Sequence, residues 1–281
     1  MKVLSLIILI VLTGLVHSHG STKHQSMNPV VETQSGEVTY LGNTGLMVSH
    51  GSEQVMFDPF FHNHYNNYQL VPEKIRTAIF DNKTPYESIE MILISHAHGD
   101  HFDANDLVKY LKSNPKTKLL APTQAVDQLK SYDDFLGIEK QIHGIDLIYG
   151  DQPVEMEMGE IKVEVVRIPH AGWPGRADVS NLVYRVTLNN EITVMHMGDA
   201  DPDDAHFKPW ASYWEKRLTA NSFPPYWFLT SDSGKQILSE RINAKRHTGV
   251  HVPVKVPEDL KNSGGDFFSR PGEVFKLDSS K

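Results

Sequence analysis

The sequence predicts an α/β fold in a single domain. A short apolar run at 92–94 predicts a strand; a polar loop follows, then a helix over 104–113 that Asp103 would cap, and a strand over 118–121. Such alternation of strands and helices is typical of an α/β layer. No Pro/Gly/Ser-rich linker divides residues 36–260. We therefore expect one domain over 36–260, followed by a C-terminal tail at 261–281.

The first twenty residues differ from the rest of the chain. Lys2 precedes an apolar run of fourteen residues, and Val16 and Ser18 suit the −3 and −1 positions of a cleavage site. This pattern is typical of a secretory signal peptide over 1–20 and is short for a transmembrane span. A retained N-terminal anchor is the alternative. We expect an exported protein, periplasmic or secreted, with no stable membrane insertion after cleavage and a disordered segment at 21–35.

Composition and charge narrow the classes of partner and of metal ligand. The chain has 281 residues, a formal charge of −8 and no basic cluster, which argues against nucleic acid as a partner. It contains no cysteine, so disulfides and thiolate metal ligands are excluded. Any metal site must be built from histidine and carboxylate. The sequence makes no prediction of the oligomeric state.

Three short strands precede the first candidate site residue. They are predicted at 37–41, 45–49 and 54–58, with turn residues between them. The third ends at Asp58 and Pro59, and proline cannot continue the hydrogen-bonded ladder. Asp58 is either a carboxylate that caps this turn or one that supports a ligand from behind.

The segment that organises the chain runs from Ile92 to His101. It is an apolar, β-branched run that ends in three histidines and one aspartate within six residues. His96 and His98 are two positions apart, so both imidazoles leave the same face of an extended backbone. Asp100 and His101 follow the break at Gly99 and can turn to a second point nearby. Imidazole and carboxylate together suit zinc, manganese or iron. A polar loop without a metal would rarely hold four such residues.

The segment Ser95 to Asp103, Ser-His-Ala-His-Gly-Asp-His-Phe-Asp, resembles the His-x-His-x-Asp-His signature of the metallo-β-lactamase superfamily. This resemblance implies a four-layer αββα sandwich with one or two metal ions at the strand ends. It also implies that later segments supply further ligands.

Three later predicted strands each end beside a metal-type side chain. The strands at 161–168, 191–197 and 244–250 precede His170, Asp199 and His251. His247 is the rival of His251 for the last position. The resemblance implies two divalent ions, with zinc favoured over manganese or iron. The first would be held by His96, His98 and His170, the second by Asp100, His101 and His251, with Asp199 as the bridge.

Several other side chains are candidates for supporting or pocket roles. His196 and Asp201 flank Asp199 and are expected to support ligands rather than bind metal. Trp173, next to His170, is expected to form a pocket wall. Tyr226 and Trp227 lie in a proline-rich aromatic loop and are equally compatible with core and pocket. The loop at 60–70, rich in His, Asn and Tyr, is expected to be a mobile flap at the site mouth.

Together these residues predict an exported metal-dependent hydrolase. A hydroxide bridging two metal ions would attack an ester, lactone or phosphodiester bond of a small-molecule or lipid-like substrate, with Asp100 as the catalytic residue that orients it. Within the superfamily the chain most resembles the branch of ascorbate-6-phosphate lactonase and N-acyl phosphatidylethanolamine phospholipase D. The alternatives are a non-catalytic, metal-dependent binding protein of the cell envelope and a β-lactam hydrolase.

The signal-peptide pattern yields a direct prediction. Material collected outside the cytoplasm should begin near His19 or Ser21, because cleavage is expected after the small residues that follow the apolar run. N-terminal sequencing of the exported protein checks this. Exported protein that still begins at Met1 would contradict cleavage and favour the retained anchor.

Overall fold

Fourteen strands and nine α-helices form in residues 35–280, the part of the chain that the computed structural model describes. The strands are β1 (Gly36–Gly42), β2 (Gly45–His50), β3 (Glu53–Phe57), β4 (Met91–Leu93), β5 (Lys118–Pro122), β6 (Ile142–Ile145), β7 (Val154–Met158), β8 (Ile161–Arg167), β9 (Leu182–Leu188), β10 (Ile192–His196), β11 (Asn221–Phe223), β12 (Thr248–Gly249), β13 (Asp266–Phe267) and β14 (Val274–Leu277). The helices are α1 (Glu73–Phe80), α2 (Ala104–Ser113), α3 (Thr123–Leu129), α4 (Phe135–Ile138), α5 (Asp204–Phe207), α6 (Ala211–Glu215), α7 (Trp227–Thr230), α8 (Asp232–Glu240) and α9 (Glu258–Lys261). Glu139–Gln141 and Lys208–Trp210 are short 3-10 helices. The predicted signal peptide and all but the last residue of the segment at 21–35 lie outside the described residues.

The strands form two large sheets and one small one. The first sheet has seven strands in the order β14-β1-β2-β3-β4-β5-β6, antiparallel as far as β3 and parallel from β3 onward. The second has five strands in the order β11-β10-β9-β8-β7, and β12 pairs with β13 in the third. The parallel half of the first sheet carries the helical crossovers, as parallel connections require.

The main core lies between the two large sheets. Alternate side chains of each strand point to opposite faces. On β1 and β2, Val38, Tyr40 and Val48 therefore join the core shared with the second sheet, whereas Leu41 and Met47 face away from it. The second sheet contributes the residues of β8, β9 and β10 that point inward, all of them fully buried or nearly so.

Helices cover the outer face of each sheet. The outward residues of the first sheet pack against α1 to α4, and those of the second pack against α5 to α9. Helix α2 has the predicted cap, since the Asp103 carboxylate accepts a hydrogen bond from the backbone N–H of Asp106 at 2.8 Å. Layers run helix, sheet, sheet, helix, so the predicted four-layer αββα sandwich is confirmed. No helix among residues 35–280 is long and apolar enough to cross a membrane.

Two predictions about the C-terminal part of the domain are wrong. The segment 244–250 is not one strand: only Thr248–Gly249 is regular, and the rest touches the β11 region through isolated bridges. The segment 261–281 is not a tail, because β14 pairs with β1 and thereby extends the first sheet, with Gly36 opposite Leu277. The described residues 35–280 fall within one compact unit, which agrees with a single domain.

Candidate metal centre

The seven predicted ligand residues meet at one end of the sandwich. They are carried by the chain segments that leave β4, β8, β10 and β12. Three groups of them have ligand atoms within 4.8 Å of one another: His96, His98 and His170; His96, His101 and Asp199; and Asp100, His101 and His251. The first and third groups are the two predicted metal triads.

Asp199 lies between the two triads. One carboxylate oxygen, Oδ2, is 3.4 Å from His170 Nε2 of the first triad and 3.3 Å from His251 Nε2 of the second. The other, Oδ1, is 3.3 Å from His101 Nε2. A single carboxylate therefore faces ligand atoms of both triads, which is the position that the family resemblance implies for a bridging residue.

Several buried polar atoms in this cluster have no hydrogen-bond partner among the described residues. They are His101 Nε2, His170 Nε2, both ring nitrogens of His251 and Asp199 Oδ1. Buried polar atoms are nearly always paired, because leaving one unpaired costs about 1–3 kcal/mol. Here the unpaired atoms include imidazole nitrogens that face carboxylate oxygens across a few ångströms. The donor set of neutral imidazoles and carboxylates fits divalent metal ions, which would remove this cost.

Hydrogen bonds behind the histidines orient their rings. Asp58 is fully buried, and its Oδ2 lies 2.9 Å from His101 Nδ1. A carboxylate can only accept, so His101 carries a proton on Nδ1 and directs Nε2 to the site, where a metal ion would take the place of a second proton. His170 is oriented in the same way, since its Nδ1 donates to the backbone oxygen of Ala171 at 2.8 Å.

The electrostatics of the cluster favour positive charge. Burial lowers the pKa of His96 well below its ordinary value, so this ring is neutral and able to bind a metal. Burial raises the pKa of Asp199, but His251 and His101 outweigh it and hold the pKa well below its usual range. Burial lowers the pKa of His101, yet Asp199 and Asp58 raise it well above its ordinary value. The carboxylates thus create a field that stabilises a cation at the centre.

Asn181 joins the strand ends that carry His170 and Asp199. Its side chain is fully buried, donates to the backbone oxygens of Ile168 and Met197 at 3.2 and 3.3 Å, and accepts from Asp199 N at 2.9 Å. Gly198 packs against it with φ of 54°, and a Cβ there would lie 2.3 Å from Asn181 Oδ1. The sequence analysis missed Asn181, since a lone asparagine before a strand gives no local signal.

The turn between β1 and β2 supports the second triad. Asn43 donates from Nδ2 to the backbone oxygen of Asp100 at 2.9 Å, and its own backbone oxygen accepts from His251 N at 2.8 Å. Thr44 donates from Oγ1 to Asp58 at 3.0 Å. The turn therefore holds Asp100, His251 and Asp58 at once. Sequence reasoning treated it only as turn chemistry.

The supporting residues predicted beside the ligands occupy distinct places. His196 is fully buried, stacks on Phe57 and donates to the Thr44 backbone oxygen at 2.9 Å. It therefore holds the turn between β1 and β2, which contacts the second triad. Asp201 accepts from the backbone N–H groups of Gly172 and Trp173 at 2.9 and 3.2 Å. His247 bonds Ser222 at 2.7 Å and belongs to none of the three groups, so the geometry favours His251 over it.

A cavity of about 430 Å³ opens onto the cluster. Its walls include Tyr65, Asn67 and Tyr68 of the predicted flap, together with Trp227 and Arg176. Burial raises the pKa of Tyr68 to about 12, so its hydroxyl stays protonated at neutral pH and can donate a hydrogen bond.

Two of the predicted pocket residues do not line this cavity. Trp173 turns its indole onto Tyr149 and His206, with ring centroids 5.1 and 5.7 Å away. Tyr226 packs edge-on against Trp227 outside the lining. The aromatic loop thus supplies one pocket residue, Trp227, whose indole N–H donates to the Ala200 backbone oxygen at 3.0 Å.

A fourth group with metal-type side chains lies apart from the two triads. It consists of His62, Asp103 and Asp106. The Arg76 guanidinium binds both oxygens of the Asp106 carboxylate, at 2.7 and 2.8 Å. A cation already neutralises this carboxylate, so the group is an ion-pair network that joins the 60–70 loop and α1 to α2.

Comparisons with known proteins identify a family and several similar proteins. The family model described as the beta-lactamase superfamily domain matches residues 37–212, more than half of the chain. The UPF0173 metal-dependent hydrolase of Pyrococcus furiosus is 26% identical over 168 residues, which cover 58% of this chain and 61% of that protein. The protein Rv0786c of Mycobacterium tuberculosis is 27% identical over 166 residues, covering 58% of this chain and 64% of its own length. The chain thus matches less than two thirds of the length of either relative.

A solved structure with a similar fold is the metallo-beta-lactamase fold protein YhfI from Bacillus subtilis. It superposes with a TM-score of 0.58 over 86% of this chain and 99% of that one, at 17% identity. At this identity the likeness concerns the fold.

The role of Asn181 can be tested by Asn181→Ala. The substitution leaves two buried carbonyl oxygens and the Asp199 N–H without their partner, so we expect a loss of about 3 kcal/mol in the free energy of unfolding. Urea denaturation measures it. Asn243→Ala is the matched control, since it removes one exposed hydrogen bond to the Glu215 backbone oxygen and should cost under about 1 kcal/mol. Equal losses in both variants would contradict a special role for Asn181.

Proposed function

This chain belongs to the beta-lactamase superfamily, and we propose that it is a hydrolase that uses two divalent metal ions. The observation that carries the proposal is the convergence of two ligand triads on Asp199, with buried imidazole nitrogens that lack any other partner among the described residues. His96, His98 and His170 would hold one ion, and Asp100, His101 and His251 the other, with Asp199 between them. Zinc is the ion that this set of imidazoles and carboxylates favours.

Bound divalent ions supply a water of lowered pKa and an electrophile for the substrate oxygen. The residues of the chain position both reactants. Asp100 is the catalytic residue of the proposal: burial raises its pKa, but His251 and His101 outweigh this and keep the pKa below its ordinary value. The carboxylate is therefore charged at neutral pH and can accept a hydrogen bond from the attacking water. No side chain has to form a covalent intermediate.

The supporting network restricts how these groups move. Asp58 is held by Ser95 N at 2.7 Å, by Ser95 Oγ at 2.6 Å and by Thr44 Oγ1 at 3.0 Å, so its own position is fixed from three sides. It fixes the His101 ring in turn. Preorganised ligands of this kind avoid the cost of rearrangement during the reaction.

The cavity suits a small-molecule or lipid-like substrate with an ester, lactone or phosphodiester bond. Tyr65, Tyr68 and Trp227 offer aromatic surface to the apolar part of such a molecule. The Tyr68 hydroxyl, protonated at neutral pH, can donate to a substrate oxygen. The carboxylate between the two triads and the lack of any cysteine support the assignment of this chain to the branch of ascorbate-6-phosphate lactonase and N-acyl phosphatidylethanolamine phospholipase D. They argue against a β-lactam hydrolase that depends on a thiolate ligand.

The signal-peptide pattern supports the further proposal that this hydrolase acts outside the cytoplasm. A chain without cysteine needs no disulfide there, and its extensive buried core provides the stability that bridges would otherwise add.

The proposal is tested by metal content and turnover on the same sample. We expect about two metal ions per chain, and hydrolysis of at least one member of a panel of lactones, phosphodiesters and β-lactams. A His98→Ala, His101→Ala double variant should lose both metal and turnover, because it removes one ligand from each triad. Elemental analysis and product release measure the two effects.

The control for this test is His247→Gln, which changes a partly buried histidine that belongs to neither triad. It should retain metal and activity close to those of the unsubstituted protein. Undiminished metal in the double variant would refute the ligand assignment. Full metal content without turnover of any panel member would favour the non-catalytic binding protein instead.

Asp199→Asn distinguishes a bridging carboxylate from a turn residue. The amide keeps the size of the side chain but loses its negative charge, so metal affinity should fall and hydrolysis should be lost, with the fold nearly intact. A structural aspartate after Gly198 would tolerate asparagine, since both residues suit turns. Metal content, circular dichroism and turnover are the measurements. A variant with the parent rate and full metal content would exclude the two-metal mechanism.

A further inference from the structure

The eight arginines of the chain differ in how their guanidinium groups are used. Six form ion pairs with carboxylates, and a seventh binds backbone oxygens: Arg76 with Asp106, Arg185 and Arg217 with Glu164, Arg241 with Asp204, Arg246 with Asp266, Arg270 with Glu273, and Arg167 with the oxygens of Leu147, Ala177 and Val179. The guanidinium of the eighth, Arg176, has no hydrogen bond or ion pair with any residue of the described range 35–280, although the backbone oxygen of Arg176 accepts from Val179 N at 3.1 Å. It is also the arginine that lines the cavity above the metal centre.

The backbone around Arg176 is held in place on both sides. Before it, Asp201 accepts from the N–H groups of Gly172 and Trp173. After it, the Arg167 guanidinium binds the backbone oxygens of Ala177 and Val179 at 3.1 and 3.3 Å. The loop is thus fixed by charged side chains while the side chain that it carries into the cavity wall is left free. Fixing the backbone lowers the entropy cost of later using this guanidinium for binding.

The stem of Arg176 lies over the loop that carries the ligand His170. A Cβ built on Gly172 would contact Arg176 Cδ at 3.5 Å, and Gly172 has φ of 93°, where a larger residue would be strained. The backbone conformation therefore favours glycine at this position, and the contact places the arginine stem beside the loop of Ala171 and His170, which also line the cavity. Arg176 is exposed to solvent, and its stem lies beside the loop that carries His170 in the wall of the same cavity.

The other charged residues that line the cavity leave the Arg176 guanidinium without a carboxylate partner. Within the cavity lining the only carboxylates are Asp100 and Asp199, and both face the histidines of the triads. Arg176 therefore has no internal anion to bind. A free guanidinium presents planar paired donors that match carboxylate or phosphate oxygens.

We propose that Arg176 binds an anionic group of the substrate, a carboxylate or a phosphate, separate from the bond that is broken. This proposal rests on the proposed hydrolytic function and narrows its substrates to molecules with such a group. Arg176 is then a specificity residue: the metal centre takes the reacting bond, and the guanidinium sets which molecules are placed correctly above it. Neutral esters and lactones would be poor substrates because they leave the arginine without a partner.

A binding experiment tests the arginine without requiring turnover. Calorimetry on metal-loaded protein compares dicarboxylates from succinate to adipate with the monocarboxylates of equal length, butyrate to hexanoate. One carboxylate can bind at the metal centre in either series, but only the dicarboxylates offer a second anion. The unsubstituted protein should bind at least one dicarboxylate about tenfold more tightly than its monocarboxylate, as expected for a charge-assisted pair.

Three variants identify the source of that preference. Arg176→Ala should reduce it to within about twofold, whereas Arg176→Lys should retain part of it, because lysine keeps the charge and loses the paired donors. Arg270→Ala is the matched control, an exposed arginine paired with Glu273 outside the cavity, and it should retain the full preference. A preference that survives in Arg176→Ala, or that is lacking in the unsubstituted protein, would overturn the proposal.

A second arm distinguishes the two anions. Phosphonocarboxylates of the same lengths replace the dicarboxylates, and a larger Arg176-dependent preference for them would assign the group as phosphate. A larger one for the dicarboxylates would assign it as carboxylate. If no compound of the hydrolysis panel is turned over but the preference is still lost in Arg176→Ala, the hydrolytic function fails and the anion site stands.

Discussion

The contact between Asp58 and His101 is the interaction on which the rest of the site depends. A fully buried carboxylate is costly unless its oxygens are satisfied, and Asp58 is bonded to Ser95, Thr44 and His101 at once. These partners come from the segment after β4 and from the turn between β1 and β2, so one carboxylate joins both at the end of β3. Burial raises the pKa of Asp58, and His101 and His196 more than offset this and hold it below its ordinary value. The residue is therefore charged, and it fixes the tautomer of His101, which with His96 is one of the two histidines that belong to two of the three ligand groups.

The two-sheet architecture explains why ligands that are distant in sequence meet. The segment after β4 belongs to the first sheet, whereas His170 and Asp199 follow strands of the second. Hydrogen bonds cross between them: Leu182 N donates to Ser95 O at 2.9 Å, and the Tyr184 hydroxyl donates to Ile94 O at 2.9 Å. The shared core sets the spacing of the sheets, and these bonds set their relative position at the end where the site lies. Because a close-packed core is hardly compressible, it restricts the movement of the ligand residues that it supports.

Sequence reasoning was most successful where the signal was local. The Ser95 to Asp103 segment, the cap at Asp103 and the strand-end histidines could be read because each depends on residues a few positions apart. It was wrong about 261–281, because β14 pairs with β1 across most of the chain and nothing local marks that partner. It was also wrong about Trp173, whose position next to a ligand does not decide which way the indole turns. Asn181 went unnoticed because its role exists only after three separate strand ends have come together.

The distribution of charge gives the site a character opposite to that of the whole protein. The chain carries a formal charge of −8, yet the cavity walls hold two carboxylates that are directed at the metal triads and one unpaired guanidinium. If divalent cations bind these carboxylates, as we propose, the local field in the cavity becomes positive. A positive cleft in a negative surface attracts anions only at short range, because salt screens its field beyond a Debye length of about 8 Å at physiological ionic strength and the surrounding surface is net negative. On our proposal, contact within the cavity rather than long-range steering would select the substrate. Arg176 would then make an anion more favourable there than a neutral molecule of the same shape.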